Sequence, residues 1–152
     1  MALKPDRREL DTRIDYFMNE VASRGGVAVV STAASGVAND NALSLATYAS
    51  NPSGKAALGF VMCDMVDKDL TKTHLNFYKE EVQKGQKVTI LTKGYVVTNM
   101  LVPSTTPLGG SGAYLGPSGL LTPTPVIAGA PLVGRFETSK DEDGYVKVSI
   151  NL

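Results

Sequence analysis

Apolar and polar positions alternate with a period of two along much of this chain, in short runs separated by Gly, Pro, Asn and Ser clusters. That period is the signature of half-buried strands, and β-branched and aromatic residues fill the runs. Val27-Ala28-Val29-Val30 is a continuous β-branched run, closed by the small residues 31–36. Residues 42–49 alternate Leu43, Leu45 and Thr47 against Ser44, Ala46 and Tyr48, and Asn51-Pro52-Ser53-Gly54 marks a turn. Residues 58–66 read as a buried strand. Gly85 opens another over residues 86–93, and Gly94 is expected to turn it back into residues 95–102 as a hairpin. Near the end, residues 132–137 lead into a polar turn closing on Asp143-Gly144, where Gly accepts positive φ at no steric cost. Residues 145–152 then place Val146, Val148, Ile150 and Leu152 on one face and Lys147, Ser149 and Asn151 on the other.

Two segments depart from this grammar. Residues 1–13 are polar, charged and interrupted by Pro5, and read as an extended arm that orders only when docked. Residues 11–24 follow, with Ile14, Phe17, Met18 and Val21 at helical spacing, Asp11 as a cap and Gly25-Gly26 as a stop. The periodicity predicts a short amphipathic helix, while Ile14, Tyr16 and Met18 also alternate as a strand would. Residues 70–84 are ambiguous, with Leu75, Tyr78 and Val82 compatible with a helical turn or two on a surface excursion. Taken together the pattern predicts a mainly β fold, a small β-sandwich or barrel with an extended N-terminal arm and at most one or two short helices. The expected organisation is an arm over 1–13 and a single β-rich domain over 14–152.

Charge changes the picture most where it is missing. Residues 95–134 contain no Asp, Glu, Lys or Arg, and thirteen of these forty residues are Gly or Pro. Breakers at that frequency exclude a membrane-spanning helix, and the recurring Tyr, Leu, Ile and Val argue against a solvated linker. The stretch offers no general acid, base or metal carboxylate. Its expected state is short β segments and ordered loops packed on their own domain or on neighbouring chains. Elsewhere fifteen basic and fifteen acidic residues cancel, which removes the electrostatic drive toward nucleic acid or an anionic membrane. A chain of 152 residues can bury roughly 70% of the surface its unfolded form exposes, enough for one true core. One cysteine, Cys63, excludes an internal disulfide, and the N-terminus lacks an apolar signal core, so an intracellular product is expected.

Candidate chemistry is thin. A Ser-His-Asp or Cys-His site would have to use His74, the only histidine, and it lies in a charged segment that reads as ordinary surface. Cys63 sits in an apolar run where a free Cys packs as a small hydrophobe. Asp64, Asp67 and Asp69 lack the glycine bend and closing Glu of a calcium loop. Gly110-Ser111-Gly112 has Leu115 where the third glycine of a dinucleotide loop belongs, and Ser53-Gly54-Lys55-Ala56 lacks the flanking residues of a phosphate-binding loop. The ten aromatic residues are not interleaved with a basic stripe. No enzyme, cofactor or metal site is expected.

Three stretches carry a family resemblance: residues 24–27 with the strand and turn that follow; residues 85–99, Gly-Gln-Lys-Val-Thr-Ile-Leu-Thr-Lys-Gly-Tyr-Val-Val-Thr-Asn; and the closing residues 133–148. With the polar arm, this pattern resembles the cement, or head-decoration, proteins of tailed bacteriophages. The resemblance implies a compact β module on the outer surface of the virion head, made in the host cytoplasm. Its partners would be the major capsid protein and itself, as a homotrimer, with neither nucleic acid nor membrane. On that basis Leu3, Lys4, Arg7, Arg8, Leu10 and Tyr16 are candidates for capsid contact. Tyr114, Leu115, Leu120 and Leu121 are candidates for subunit contact. A tail or fibre component, or a small β-barrel that binds a ligand at its uncharged loops, would show similar strand grammar.

Overall fold

The computed structural model describes residues 2–31, 44–64 and 81–152, with Cys63 and Asp64 described as backbone. The strands among these residues are β1 (Leu3–Met18), β2 (Ala22–Ser23), β3 (Val27–Val30), β4 (Ser44–Thr47), β5 (Ala57–Asp64), β6 (Glu81–Val82), β7 (Lys87–Thr98), β8 (Gly112–Leu115), β9 (Leu121–Thr122), β10 (Leu132–Phe136) and β11 (Val146–Asn151). One 3-10 turn, Pro117–Gly119, separates β8 from β9. The fold is mainly β, as its alternating pattern requires.

The strands form a ring with an extension. β1 pairs in parallel with β4, β4 pairs with β3, β3 with β5 and β5 with β7, and β7 returns to β1. That circuit closes a five-stranded barrel. β7 then runs beyond it, and its second half continues the sheet through β11, β10, β8 and β9. β2 and β6 make a separate two-stranded patch.

Alternation along the shared strands sorts side chains into two cores. Met18, Ala28, Ala46, Leu58, Val61, Val88 and Ile90 cluster together with Val82 from β6. Val27, Val29, Phe60, Met62, Leu91 and Val96 face the other way, onto Val133, Phe136, Val146, Val148 and Ile150 of the extension. Each fully buried Val, Leu, Ile or Phe contributes about 1.5–3 kcal/mol of transfer free energy, so both clusters are needed to hold the fold. The terminal strand behaves as its pattern predicts for Val146, Val148 and Ile150, which are buried; Leu152 lies past the strand end and is exposed.

Two expectations are corrected. Residues 11–18 are strand, not helix: a helix would gather Ile14, Phe17, Met18 and Val21 on one buried face, yet Ile14 and Val21 are 42% and 55% exposed. Tyr16 and Met18 alternate onto the barrel core instead, and the free edge of β7 supplies backbone partners that outweigh a weak helical preference. The second correction is at Gly94, which does not turn the chain. β7 runs straight through it with φ at +141°, and a Cβ there would sit 1.9 Å from the Arg8 carbonyl oxygen. Gly59 plays the same part on the other side of β7, its Cβ position 2.1 Å from the Leu91 carbonyl oxygen. Glycine lets both neighbours close on β7.

Gly94→Ala should therefore push β1 off β7 and cost more than about 1 kcal/mol. Hydrogen exchange should accelerate in β1 while β11 stays protected; unchanged exchange in β1 would refute the close-approach role. Phe136→Ala, in the centre of the larger core, should cost about 3–5 kcal/mol by chemical denaturation.

Candidate interaction surfaces

The surface that stands out is β1. Residues 5–15 are all exposed, although the strand is paired along its length to β7 from Leu3↔Thr98 to Phe17↔Lys87. The register slips at four places, including between Glu9 and Asp11, which is what a two-sided polar strand allows. Of the extended form expected for residues 1–13, residues 3–13 are strand docked on the chain's own β7, and the strand continues past residue 13. Arg7, Arg8 and Leu10 lie exposed and Lys4 is half-buried. Leu3 and Tyr16 pack against the two cores, so they anchor the ends of the strand.

Ion pairs and ring contacts hold the N-terminal part of β1. Lys4 Nζ lies 3.5 Å from Asp141 and 3.8 Å from Asp143, and sits 4.1 Å from the centre of the Tyr145 ring. Asp6 meets Lys147 at 3.6 Å, and Lys147 stacks 3.8 Å over Tyr95. Arg7 pairs with Glu9 at 2.7 Å. The Asp141 end of this network is built by the β10–β11 turn, where the carboxylate accepts the Tyr145 N–H at 2.7 Å. That hydrogen bond first, and the Lys4 charge after it, hold the Asp141 carboxyl below its usual range. Across the same sheet face Glu137 accepts from Ser149 Oγ at 2.7 Å and from Arg135, and its carboxyl is lowered for those reasons.

The uncharged stretch divides between core and surface. Leu115 and Leu121 are fully buried, so their side chains are committed to the larger core and are withdrawn as subunit contacts. Tyr114 and Leu120 are half-buried. Three residues not singled out from the pattern are more exposed: Leu108 at 68%, Leu132 at 57% and Val126 at 51%. Leu132 lies directly across from Tyr114 in the β8–β10 ladder, so these two form an apolar pair.

Tyr48 locks these loops to the barrel. Its hydroxyl donates to the Ser23 carbonyl and accepts the Gly26 N–H, while Ser118 N–H donates to the Ala49 carbonyl at 2.7 Å. Gly26 and Gly119 flank the ring, where any Cβ would come within 2.9 Å and 2.6 Å of it. Burial holds the Tyr48 hydroxyl well above the usual phenol range; the Gly26 bond opposes this and the nearby Glu20 charge reinforces it. Glu20 is itself occupied, accepting from the Thr47 hydroxyl and the Tyr48 N–H. The tyrosine is a structural wedge.

Two open clefts lie on this surface. One, of about 450 Å³, is lined by residues that include Val29, Thr47, Tyr48, Asn51 and Lys55; the other, of about 370 Å³, includes Leu132, Arg135, Ser149 and Leu152. Among the described residues neither lining contains an Asp, Glu, His or Cys side chain. No group of three or more His, Cys, Asp or Glu that could hold a metal occurs among the described residues. His74, Asp67 and Asp69, the turn at 35–36 and residues 70–80 lie outside the described residues, as do the Cys63 and Asp64 side chains.

The prominent features of this β module are an exposed charged strand and uncharged loops. The sequence places it further: residues 8–150 match the family described as XM1 gp53 minor capsid protein, and the chain belongs to that family. No curated protein matches the sequence. The family assigns a phage structural role associated with the capsid and the virion.

Because the folded Asp141 carboxyl is lowered from 3.8, its stabilising contribution is complete above that value and fades as pH falls through the lower native value. Asp141→Asn should therefore flatten the loss of thermal stability on acidification from about pH 5 to about pH 1. A variant whose acid profile overlays the parent protein would show the turn carboxylate to be unlinked to folding.

Proposed function

We propose that this protein is a cement, or head-decoration, protein that binds the outer face of the phage capsid through β1 and self-associates as a homotrimer through its uncharged loops. The observation that carries the reading is β1, a strand held in place by backbone pairing while residues 5–15 present their side chains outward. A module that gave these side chains no external partner would gain little from ordering them, since each fixed residue costs about 1–2 kcal/mol of backbone entropy. The major capsid protein is the partner this surface fits, with Arg7 leading the contact. Membership of a minor capsid protein family supports the same direction.

The energetics suit a cement. A protein that binds only the assembled shell stabilises it by about 2.7 kcal/mol per site at a hundredfold excess over Kd. Trimerisation multiplies that effect, because the second and third contacts become intramolecular. The exposed Leu108, Val126 and Leu132, with Tyr114 and Leu120 beside them in the sequence stretch without charge, can pack against like subunits without stranding ions.

Co-sedimentation with undecorated heads tests the capsid contact. Arg7→Glu should weaken binding about tenfold or more while leaving the folded spectrum intact; undiminished binding would remove the Arg7 side of β1 from the interface. Light scattering tests the subunit contact. Leu132→Asp should reduce a trimer to monomer with the fold preserved, whereas Leu121→Asp should unfold the chain by burying a charge. A Leu132→Asp variant that stays trimeric would clear this face of the role.

A further inference from the structure

β1 has a second feature that side-chain exposure alone does not use. One edge of the strand is paired to β7 throughout, and β4 covers the other edge only at Tyr16, Phe17 and Met18. Among the described residues, nothing pairs with the outer edge from residue 3 to residue 15. An open backbone edge of that length is a template for another strand, and charged side chains normally guard it. β1 carries eight charges, and their order is informative: Lys4, Arg7, Arg8 and Arg13 against Asp6, Glu9, Asp11 and Asp15.

We infer that this edge pairs antiparallel with the same edge of a second copy of the chain, about a two-fold axis between Glu9 and Leu10. In that register Arg8 faces Asp11 of the other copy and Asp6 faces Arg13, each pair occurring twice. Pro5 meets Ile14, and the Leu10 side chains, 55% exposed in the single chain, come together beside the axis. No like charges oppose. Sliding the register two residues one way sets Lys4 against Arg13 and Asp6 against Asp11. Sliding it the other way sets Asp6 against Asp15 and Arg8 against Arg13. The charge order therefore selects one register among its neighbours, at the strength of cross-strand pairs.

Geometry permits it. Directly opposed residues in an antiparallel ladder must point to the same edge, which in a regular strand joins residues of equal parity. The slip between Glu9 and Asp11 shifts β1 by one residue at its centre. Arg8 and Asp11 consequently share a face: they lie opposite Tyr95 and Lys93, which alternate onto one side of β7. The unused charges also fit. Among the described residues Arg8, Asp11, Arg13 and Asp15 make no ion pair within the chain, whereas Lys4 and Asp6 already do. A two-fold contact of this type closes on itself, so it joins units in pairs without forming a fibre. It uses the backbone edge of β1 and leaves the Arg7 side of the strand to the capsid.

The experiment needs no capsid, so its outcome is separate from the head-binding test. Sedimentation and light scattering on the purified full chain, up to about 1 mM, should show reversible pairing that weakens as salt rises from about 0.1 M to about 1 M. Arg8→Asp alone and Asp11→Arg alone should each lower the association constant about tenfold or more, since both copies then oppose like charges. An equal mixture of the two single variants should recover association, as should the double variant Arg8→Asp/Asp11→Arg. Circular dichroism establishes that each exposed substitution leaves the fold unchanged. Absence of self-association in the parent chain, single variants that pair like the parent, or a mixture that fails to pair would each overturn the inference.

Discussion

Everything in this molecule depends on β7 having two usable edges over twelve residues. β1 occupies one edge from end to end, and β5 and β11 share the other in succession. Its alternating side chains feed both cores, with Val88 and Ile90 in one and Leu91 and Val96 in the other. A hairpin at Gly94 would have separated the barrel from its extension. Continuity of the strand makes them one body, and the glycines at 59 and 94 allow both neighbours to approach closely enough to pair.

The distribution of charge follows from that architecture. Interior faces of the ring and the extension are apolar, so ionisable groups are driven to β1, to the outer sheet face and to the β10–β11 turn. There they form exposed pairs of small individual worth, whose value lies in fixing where β1 sits and what it shows to a partner. The uncharged loops do the opposite. They trade electrostatic guidance for surfaces that can be buried against like subunits, and the Tyr48 wedge between Gly26 and Gly119 ties them to the barrel. Structure and family together make this a capsid-associated structural protein of phage.

Much of the fold was legible because its cause is local. The runs at 27–30 and 87–93 send alternate side chains into the two cores, the run at 146–151 points one face inward, and the Asp143-Gly144 turn demands the positive φ that Gly144 adopts at +88°. What was not legible depended on distant partners. Residues 11–18 carry both helical and strand periods, and only the open edge of β7 decides between them. Gly94 reads as a turn in isolation, since nothing local shows that a second backbone passes 1.9 Å from its missing Cβ. For the candidate surfaces, the charged arm announced itself in sequence, whereas Leu115 and Leu121 could not be told from Leu108 and Leu132 without knowing which way each strand faces.

We propose that this chain lies on the outside of a phage head in repeated copies. Cryo-electron microscopy of purified virions, with and without the chain, measures that directly. A capsid-bound cement requires β-rich density of this fold at symmetry-related outer sites of the shell, with β1 facing the major capsid protein, and its disappearance from particles lacking the chain. Density confined to the tail or the inner face of the shell, or no such density at all, would contradict it.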